Sequence, residues 1–305
     1  MRDFGLSGWA NPALRDERAR WYCERLEEGE ILFFAHTPFL LPQEDRAFLL
    51  NVQQASAAYY KNISYRLKQD RVKGFARGST DAERLRSILR AYAQRATEFA
   101  SRFLSPYARR WQIDFTSFRP VEEQGRQISL RARNDLIHVD AFPTRPTNGN
   151  RLLRVFTNIN PTKPRIWVTT ETFDALAPKF AMAAGLSDIA ARARSPFRPV
   201  RRSLIRLARA VGLPLVDRSP YDQFMLGFHH YLKTNQAFQD GCPKYRWEFP
   251  PNSTWLVLTD MVPHSALSGQ FALEQTFVVP RDALLLPHKA PVHILEQLSG
   301  TPLTD

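Results

Sequence analysis

The sequence predicts a single α+β domain, and three observations carry that prediction. A helical apolar pattern dominates the first third of the chain, and short β-like runs broken by Pro, Gly and Asn begin near residue 114. No internal repeat and no linker divides the 305 residues, so residues 1–305 read as one unit. Within it, 1–113 is the largely helical part, 114–170 and 245–281 carry the strands, and 171–239 is a helical insertion between them. At 44% hydrophobic residues the chain can bury a sizeable core, which excludes disorder as its main state.

Each element rests on its own pattern. Residues 11–29 place Leu14, Ala19, Trp21, Tyr22 and Leu26 at helical spacing, and GEILFF at 29–34 reads as a first strand. Residues 43–66 and 81–113 read as mostly helical. In the second, Leu85, Ile88, Leu89, Tyr92, Ala93, Ala96, Phe99, Ala100 and Phe103 recur at three and four, the mark of one buried face. The β-like runs are IDFTSFRP, RQISL, DLIHVDAF, LLRVFTNIN, RIWVTT, STWLVLTD and FALEQTFVVP.

Charge narrows the function. The formal net charge is +12, and 34 Arg against eight Lys make the excess guanidinium, the group suited to bidentate capture of carboxylate and phosphate. Such a balance points to nucleic acid, an anionic membrane face or an anionic small substrate. Two cysteines, Cys23 and Cys242, form no disulfide framework and no zinc-ribbon spacing. No segment has the apolar core of a signal peptide or the roughly 18 apolar residues of a spanning helix, so the expected location is cytoplasmic. Residues 188–213 hold Arg192, Arg194, Arg198, Arg201, Arg202, Arg206 and Arg209 against Asp188. Over 200–212, Leu204, Ile205, Leu207, Ala208 and Val211 oppose the cations, the signature of a helix lying on an anionic membrane surface. No zinc finger, aromatic ladder or helix-turn-helix supports nucleic acid, and none is expected as a partner.

The chemistry begins at His138-Val139-Asp140. In an extended segment residues two apart share a face, so this imidazole and carboxylate can hold one metal. Seven His and 16 Asp deliver roughly 0.4 such triplets by chance, so a third ligand is required. His264 supplies it, standing after Pro263 between two β-like runs. Two imidazoles and one carboxylate make the facial triad that leaves positions open on Fe(II) for a chelating co-substrate and O2. His229 and His230, in FMLGFHHYL, read as packing or surface residues, and His36, His288 and His293 have no partner at ligand spacing.

Four longer runs, YYKNISYR, RNDLIHVDAFPTRPTNGNRLLRVFTNINPTKPRIW, YDQFMLGFHHYLKTN and FPPNSTWLVLTDMVPHSALSGQFALEQTFVVP, resemble the Kdo hydroxylase family. Its members are Fe(II)- and 2-oxoglutarate-dependent dioxygenases that hydroxylate 3-deoxy-octulosonic acid (Kdo) of lipopolysaccharide at carbon 3. The resemblance covers about residues 21–281. It implies a double-stranded β-helix, the jelly-roll, cupin-like core flanked by helices. It also implies that His138, Asp140 and His264 are the iron ligands, that 2-oxoglutarate and O2 are co-substrates leaving as succinate and CO2, and that Kdo-lipid A becomes the 3-hydroxylated sugar acid Ko at the cytoplasmic face of the anionic inner membrane. Two other readings compete: an oxygenase of this fold with a different anionic substrate, and a non-catalytic basic β-barrel binding lipid or nucleic acid.

The distal carboxylate of 2-oxoglutarate needs a cation. In the broader superfamily an Arg or Lys commonly follows the distal His by ten to twelve residues, where this chain has Glu274, Gln275 and Thr276. Arg154 is the first candidate in its place, with Asn158 on the same face by even spacing, and Arg281 is the second. Lys61, Arg66, Arg145 and Arg165, inside the family-like runs, are the candidates for Kdo carboxylates or lipid A phosphates.

Overall fold

In the computed structural model the described residues are 2–3 (backbone), 15–52, 62–75, 81–125, 128–196, 203, 207, 213 and 215–304. The strands are β1 (Arg2–Asp3), β2 (Leu32–Phe34), β3 (Ile63–Arg66), β4 (Arg71–Lys73), β5 (Gln112–Arg119), β6 (Arg151–Asn158), β7 (Arg165–Thr169), β8 (Tyr245–Phe249), β9 (Thr254–Leu258), β10 (His264–Ser268) and β11 (Ala272–Val279). The helices are α1 (Arg15–Glu27), α2 (Gln43–Asn51), α3 (Asp81–Phe103), α4 (Ser105–Ala108), α5 (Phe173–Phe180), α6 (Leu186–Ala193), α7 (Pro220–Thr234), α8 (Gln236–Gly241) and α9 (Pro291–Ser299).

Two sheets face each other. The larger runs β1-β2-β9-β6-β11-β5-β3-β4 and the smaller β10-β7-β8, with every pairing antiparallel except β1 with β2. Alternation along the strands sorts the residues between layers. On the larger sheet Phe118 and Leu273 pair directly and pack outward on α3, in a cluster with Leu85, Ile88 and Tyr92. All nine α3 positions expected to be buried are buried. Their neighbours Arg119, Arg154, Phe156 and Glu274 turn inward, toward Arg165, Trp167 and His264 of the smaller sheet. Phe156, Trp167, Phe249 and Trp255 close the space between the sheets, with Phe249 and Trp255 stacked at 3.9 Å.

Local expectations meet the structure unevenly. Helix α2 ends at Asn51, and Ile63–Arg66, expected to be helical, is a strand. Its Ile63 and Tyr65 alternate into the α3 cluster, so period-two burial wins over helical propensity there. Helix α3 stops at Phe103 and strand β5 already begins at Gln112. RQISL gives no strand among the described residues, only a 3-10 turn at Leu130–Ala132. DLIHVDAF contributes a single bridge, His138 to His264. The helical insertion appears as α5 to α8, whereas the basic segment over 200–212 lies, apart from Ser203 and Leu207, outside the described residues. Arg194, counted in the basic cluster over 188–213, donates from Nη1 to Thr301 Oγ1 at 2.7 Å and so ties α6 to the C-terminal end. Among the described residues no helix is long and apolar enough to cross a membrane.

Candidate active site

His138, Asp140 and His264 converge with their ligand atoms within 4.8 Å of one another. The backbone enforces this. His138 N donates to His264 O at 3.0 Å and His264 N to His138 O at 2.9 Å, a two-bond antiparallel pair, and Asp140 N donates to Thr259 O at 2.9 Å. Each imidazole donates from Nδ1 to the carbonyl two residues earlier, Leu136 at 2.7 Å and Val262 at 2.9 Å. Those bonds fix the tautomer that leaves Nε2 as a lone-pair donor. The Nε2 atoms stand 3.8 and 4.0 Å from the Asp140 carboxylate oxygens.

Electrostatics prepare the same atoms. Burial pushes both imidazoles below their ordinary range, His138 further because Lys233, His229 and His264 add to it. Burial alone would raise the Asp140 carboxyl, but Arg154, the two imidazoles and the Thr259 hydroxyl outweigh it and hold it well below the usual carboxylate range. Two neutral imidazoles and one carboxylate are the donor set of a non-heme iron facial site. Asp140 Oδ2 is buried and, among the described residues, its ion-pair partner is Arg154 Nη2 at 3.2 Å with no further hydrogen bond, which leaves lone-pair capacity for a metal.

Around the triad, three arginines and three carboxylates alternate. Arg154 lies 3.2 Å from Asp140 and 3.2 Å from Glu274; Arg119 lies 2.6 Å from Glu274 and 3.6 Å from Glu123; Arg165 lies 3.3 Å from Glu123. The three arginines line one pocket with the triad, Trp167 and Phe156. Trp167 stacks on the His264 ring at 4.7 Å. Gly269 allows Arg165 to pass, since a Cβ there would come within 2.8 Å of Arg165 Cγ at a φ of +122°. Gly269 O accepts from Arg165 Nη1 at 2.9 Å.

A larger cavity of about 470 Å³ adjoins this pocket. Arg66, Lys68, Asp114, Phe115, Phe142 and Arg145 are in its wall. Arg145 lies between Phe115 at 3.9 Å and Phe142 at 4.0 Å and pairs with Asp114. Burial, with Arg154 second, lowers its pKa to about 10. Phe142 also meets Arg154 at 5.2 Å, so this ring touches an arginine of each space. Arg66 lies over Phe115 at 4.4 Å, and its buried Nε has no hydrogen-bond partner among the described residues.

The structure therefore sorts the residues singled out in the sequence. His138, Asp140, His264, Arg154 and Arg165 meet in one pocket, and Arg66 and Arg145 line the next. Asn158 does not reach the pocket, because its amide is spent on a turn, donating to Lys163 O and Phe249 O and accepting from Asn160 N. Arg281, past the end of β11, donates to Thr304 Oγ1 at 2.7 Å and is also absent from the pocket. Lys61 lies outside the described residues. The sequence does not single out Arg119, nor Glu123 and Glu274 as its ion-pair partners; even spacing along β5 and β11 sets Arg119 and Glu274 on one face, but only the register between the strands brings them together. His229, read as packing, lies edge-on to the His138 ring at 4.8 Å.

A buried two-His, one-carboxylate centre between antiparallel sheets, lined by arginines, is the site of a non-heme iron oxygenase. The chain belongs to the 3-deoxy-D-manno-oct-2-ulosonic acid (Kdo) hydroxylase family, whose model matches residues 9–302. Among solved structures it is similar to the Kdo hydroxylase KdoO, a non-heme Fe(II) alpha-ketoglutarate-dependent dioxygenase. The KdoO complex with alpha-ketoglutarate and Fe(III) is 36% identical, with a TM-score of 0.82 over 99% of this chain and 97% of that one. The cobalt(II) complex gives 36% and 0.84 over 100% and 97%. The complex with succinate and Fe(III) gives 35% and 0.82 over 100% and 97%. No curated protein matches the chain.

Proposed function

We propose that this chain is an Fe(II)- and 2-oxoglutarate-dependent dioxygenase that hydroxylates carbon 3 of Kdo in Kdo-lipid A, giving Ko with succinate and CO2. The observation that carries the reading is the convergence of His138, Asp140 and His264 on one point inside an arginine-lined pocket, in a chain of the Kdo hydroxylase family. The sheet orders β9-β6-β11-β5 and His138-β10-β7-β8, with the triad between the two faces, support a double-stranded β-helix.

Iron bound with 2-oxoglutarate and O2 supplies an oxidant able to insert oxygen into an unactivated C–H bond. The chain's own residues bind, orient and shield. His138 and His264 present Nε2, and Asp140 an ionised carboxylate. Arg154, held between Asp140 and Glu274, keeps that carboxylate turned and unprotonated. Arg119 and Arg165, joined through Glu123, stand further along the chain of ion pairs and take the distal carboxylate of 2-oxoglutarate. This moves Arg165 from the substrate side to the co-substrate side. The three arginines and three carboxylates balance, and Fe(II) with dianionic 2-oxoglutarate also loads as a neutral pair, so neither event buries net charge. Trp167 and Phe156 keep water from the pocket.

Beyond Phe142, Arg66 and Arg145 offer guanidinium to the acidic sugar, with aromatic rings for its apolar face. The cationic segment from Arg192 to Arg209 holds the enzyme at the anionic cytoplasmic face of the inner membrane, where the lipid substrate resides. The test is incubation with Fe(II), 2-oxoglutarate, air and Kdo-lipid A. Succinate release matched by one added oxygen per lipid is expected, and succinate without lipid oxidation would reassign the substrate.

A further inference from the structure

The metal-ligand segment Ile137–Asp140 is an edge. Its inner side pairs with β10 through His138, but no strand covers its outer side among the described residues. Bare edges are normally paired or covered, because unpaired backbone groups in a buried place are costly. Here side chains from α7 and α8 supply the partners. Gln239 Oε1 accepts from Ile137 N at 3.0 Å while its Nε2 donates to Ile137 O at 2.9 Å. That reciprocal pair copies the two-bond exchange between opposed residues of an antiparallel ladder. The same Nε2 donates to Leu232 O at 2.8 Å, which anchors the amide to the end of α7. Two residues on, His229 Nδ1 donates to Val139 O at 2.7 Å, and its ring meets His138 edge-on at 4.8 Å and 77°.

We propose that His229 and Gln239 are positioning residues that replace a missing strand on the outer edge of Ile137–Asp140 and so hold His138 and Asp140 in metal-binding geometry. The proposal rests on the metal-centre reading above. The two side chains bracket the segment, one at Ile137 and one at Val139, the residues flanking His138. With both faces of this short run hydrogen-bonded, the segment loses the freedom to twist about its long axis, and a twist would swing the two ligand side chains off their common face. The helical insertion is thus a structural arm of the metal centre as well as a connection between strands.

The experiment is Co(II) titration of the apoprotein, with thermal unfolding and circular dichroism in parallel, on the parent and on His229→Leu, His229→Asn, Gln239→Leu and Gln239→Glu. Asn places an amide donor where His229 carries Nδ1. Glu keeps the acceptor for Ile137 N but sets an oxygen against two carbonyls. His229→Leu, Gln239→Leu and Gln239→Glu are expected to weaken Co(II) binding about 10- to 100-fold, as loss of partners around metal ligands does, with His229→Asn within about threefold of the parent. Folded Leu variants and Gln239→Glu binding Co(II) like the parent would overturn the proposal, as would His229→Asn binding as weakly as His229→Leu. If the Leu variants fail to fold, Gln239→Glu binding Co(II) like the parent, or His229→Asn binding it more than about tenfold more weakly than the parent, overturns the proposal. His138→Ala and Asp140→Ala, run alongside, separate the two levels: unchanged Co(II) affinity in these would sink the metal-centre reading itself.

Discussion

The iron pocket and the cavity beside it treat arginine in opposite ways, though one phenylalanine ring, Phe142, touches an arginine of each. In the pocket every guanidinium stands against carboxylates, and the sequence of pairs from Asp140 to Arg165 closes on itself in charge. In the cavity Arg145 shares Asp114 and two rings, while Arg66 has an aromatic face and, among the described residues, no carboxylate. The first arrangement is rigid and preorganised, suited to holding a metal and small co-substrate in one geometry. The second retains unspent positive charge at a place large enough for a sugar acid, suited to an anion that arrives and leaves.

Asp140→Ala breaks the comparison at its root. It removes a ligand and leaves Arg154 with Glu274 alone, and kcat is expected to fall about 1,000-fold or more with loss of bound iron, measured by turnover and metal content. Arg119→Met takes one of two arginines from each of Glu274 and Glu123, leaving three buried carboxylates against Arg154 and Arg165. One uncompensated buried charge in the cluster should destabilise folding by about 3–5 kcal/mol, read from denaturant unfolding. Arg165→Met sharpens the assignment of the co-substrate end. Loss of a charge-assisted hydrogen bond, about 1.5–3 kcal/mol, should raise KM for 2-oxoglutarate about 10- to 100-fold while KM for Kdo-lipid A holds. Arg66→Ala and Arg145→Ala should do the reverse, raising KM for the lipid about 3- to 10-fold with KM for 2-oxoglutarate unchanged, since these groups are partly solvated. Equal effects of both sets on both substrates would erase the distinction between the two regions.

The smallest expected effect is on pH. His138 and His264 titrate below their ordinary range in the fold because burial disfavours the imidazolium, so the unfolded chain binds protons that the native apoprotein refuses. Stability of the apoprotein from these two groups is therefore present above about pH 6.5 and lost as pH falls below it. Apoprotein unfolding followed from pH 8 to 5 should show that decline, and His138→Ala should flatten it.

Much of this was legible in the sequence, and the reasons are physical. The spacing of His138 and Asp140 marks an extended segment, and the family-like runs around it supply His264. Alternation in β5, β6 and β11 was also present, yet Arg119 and Glu274 stayed hidden, because knowing that they face each other needs the register between strands far apart in the chain. Asn158 illustrates the converse. Its spacing from Arg154 sets it on the correct face, but the strand ends there and the turn claims its side chain. Ile63–Arg66 read as helix because local pattern cannot see the strand beside which it lies. His229 read as packing for the same reason: its partner, Val139 O, is 90 residues away.

The central claim is that the chain inserts one atom of O2 into carbon 3 of Kdo. Turnover of Kdo-lipid A under isotopically labelled O2, with mass analysis of both products, tests it most directly. One labelled oxygen on the sugar and one in succinate are expected for each turnover, both absent with Asp140→Ala. Unlabelled lipid from an iron-loaded, folded enzyme that still forms labelled succinate would contradict it.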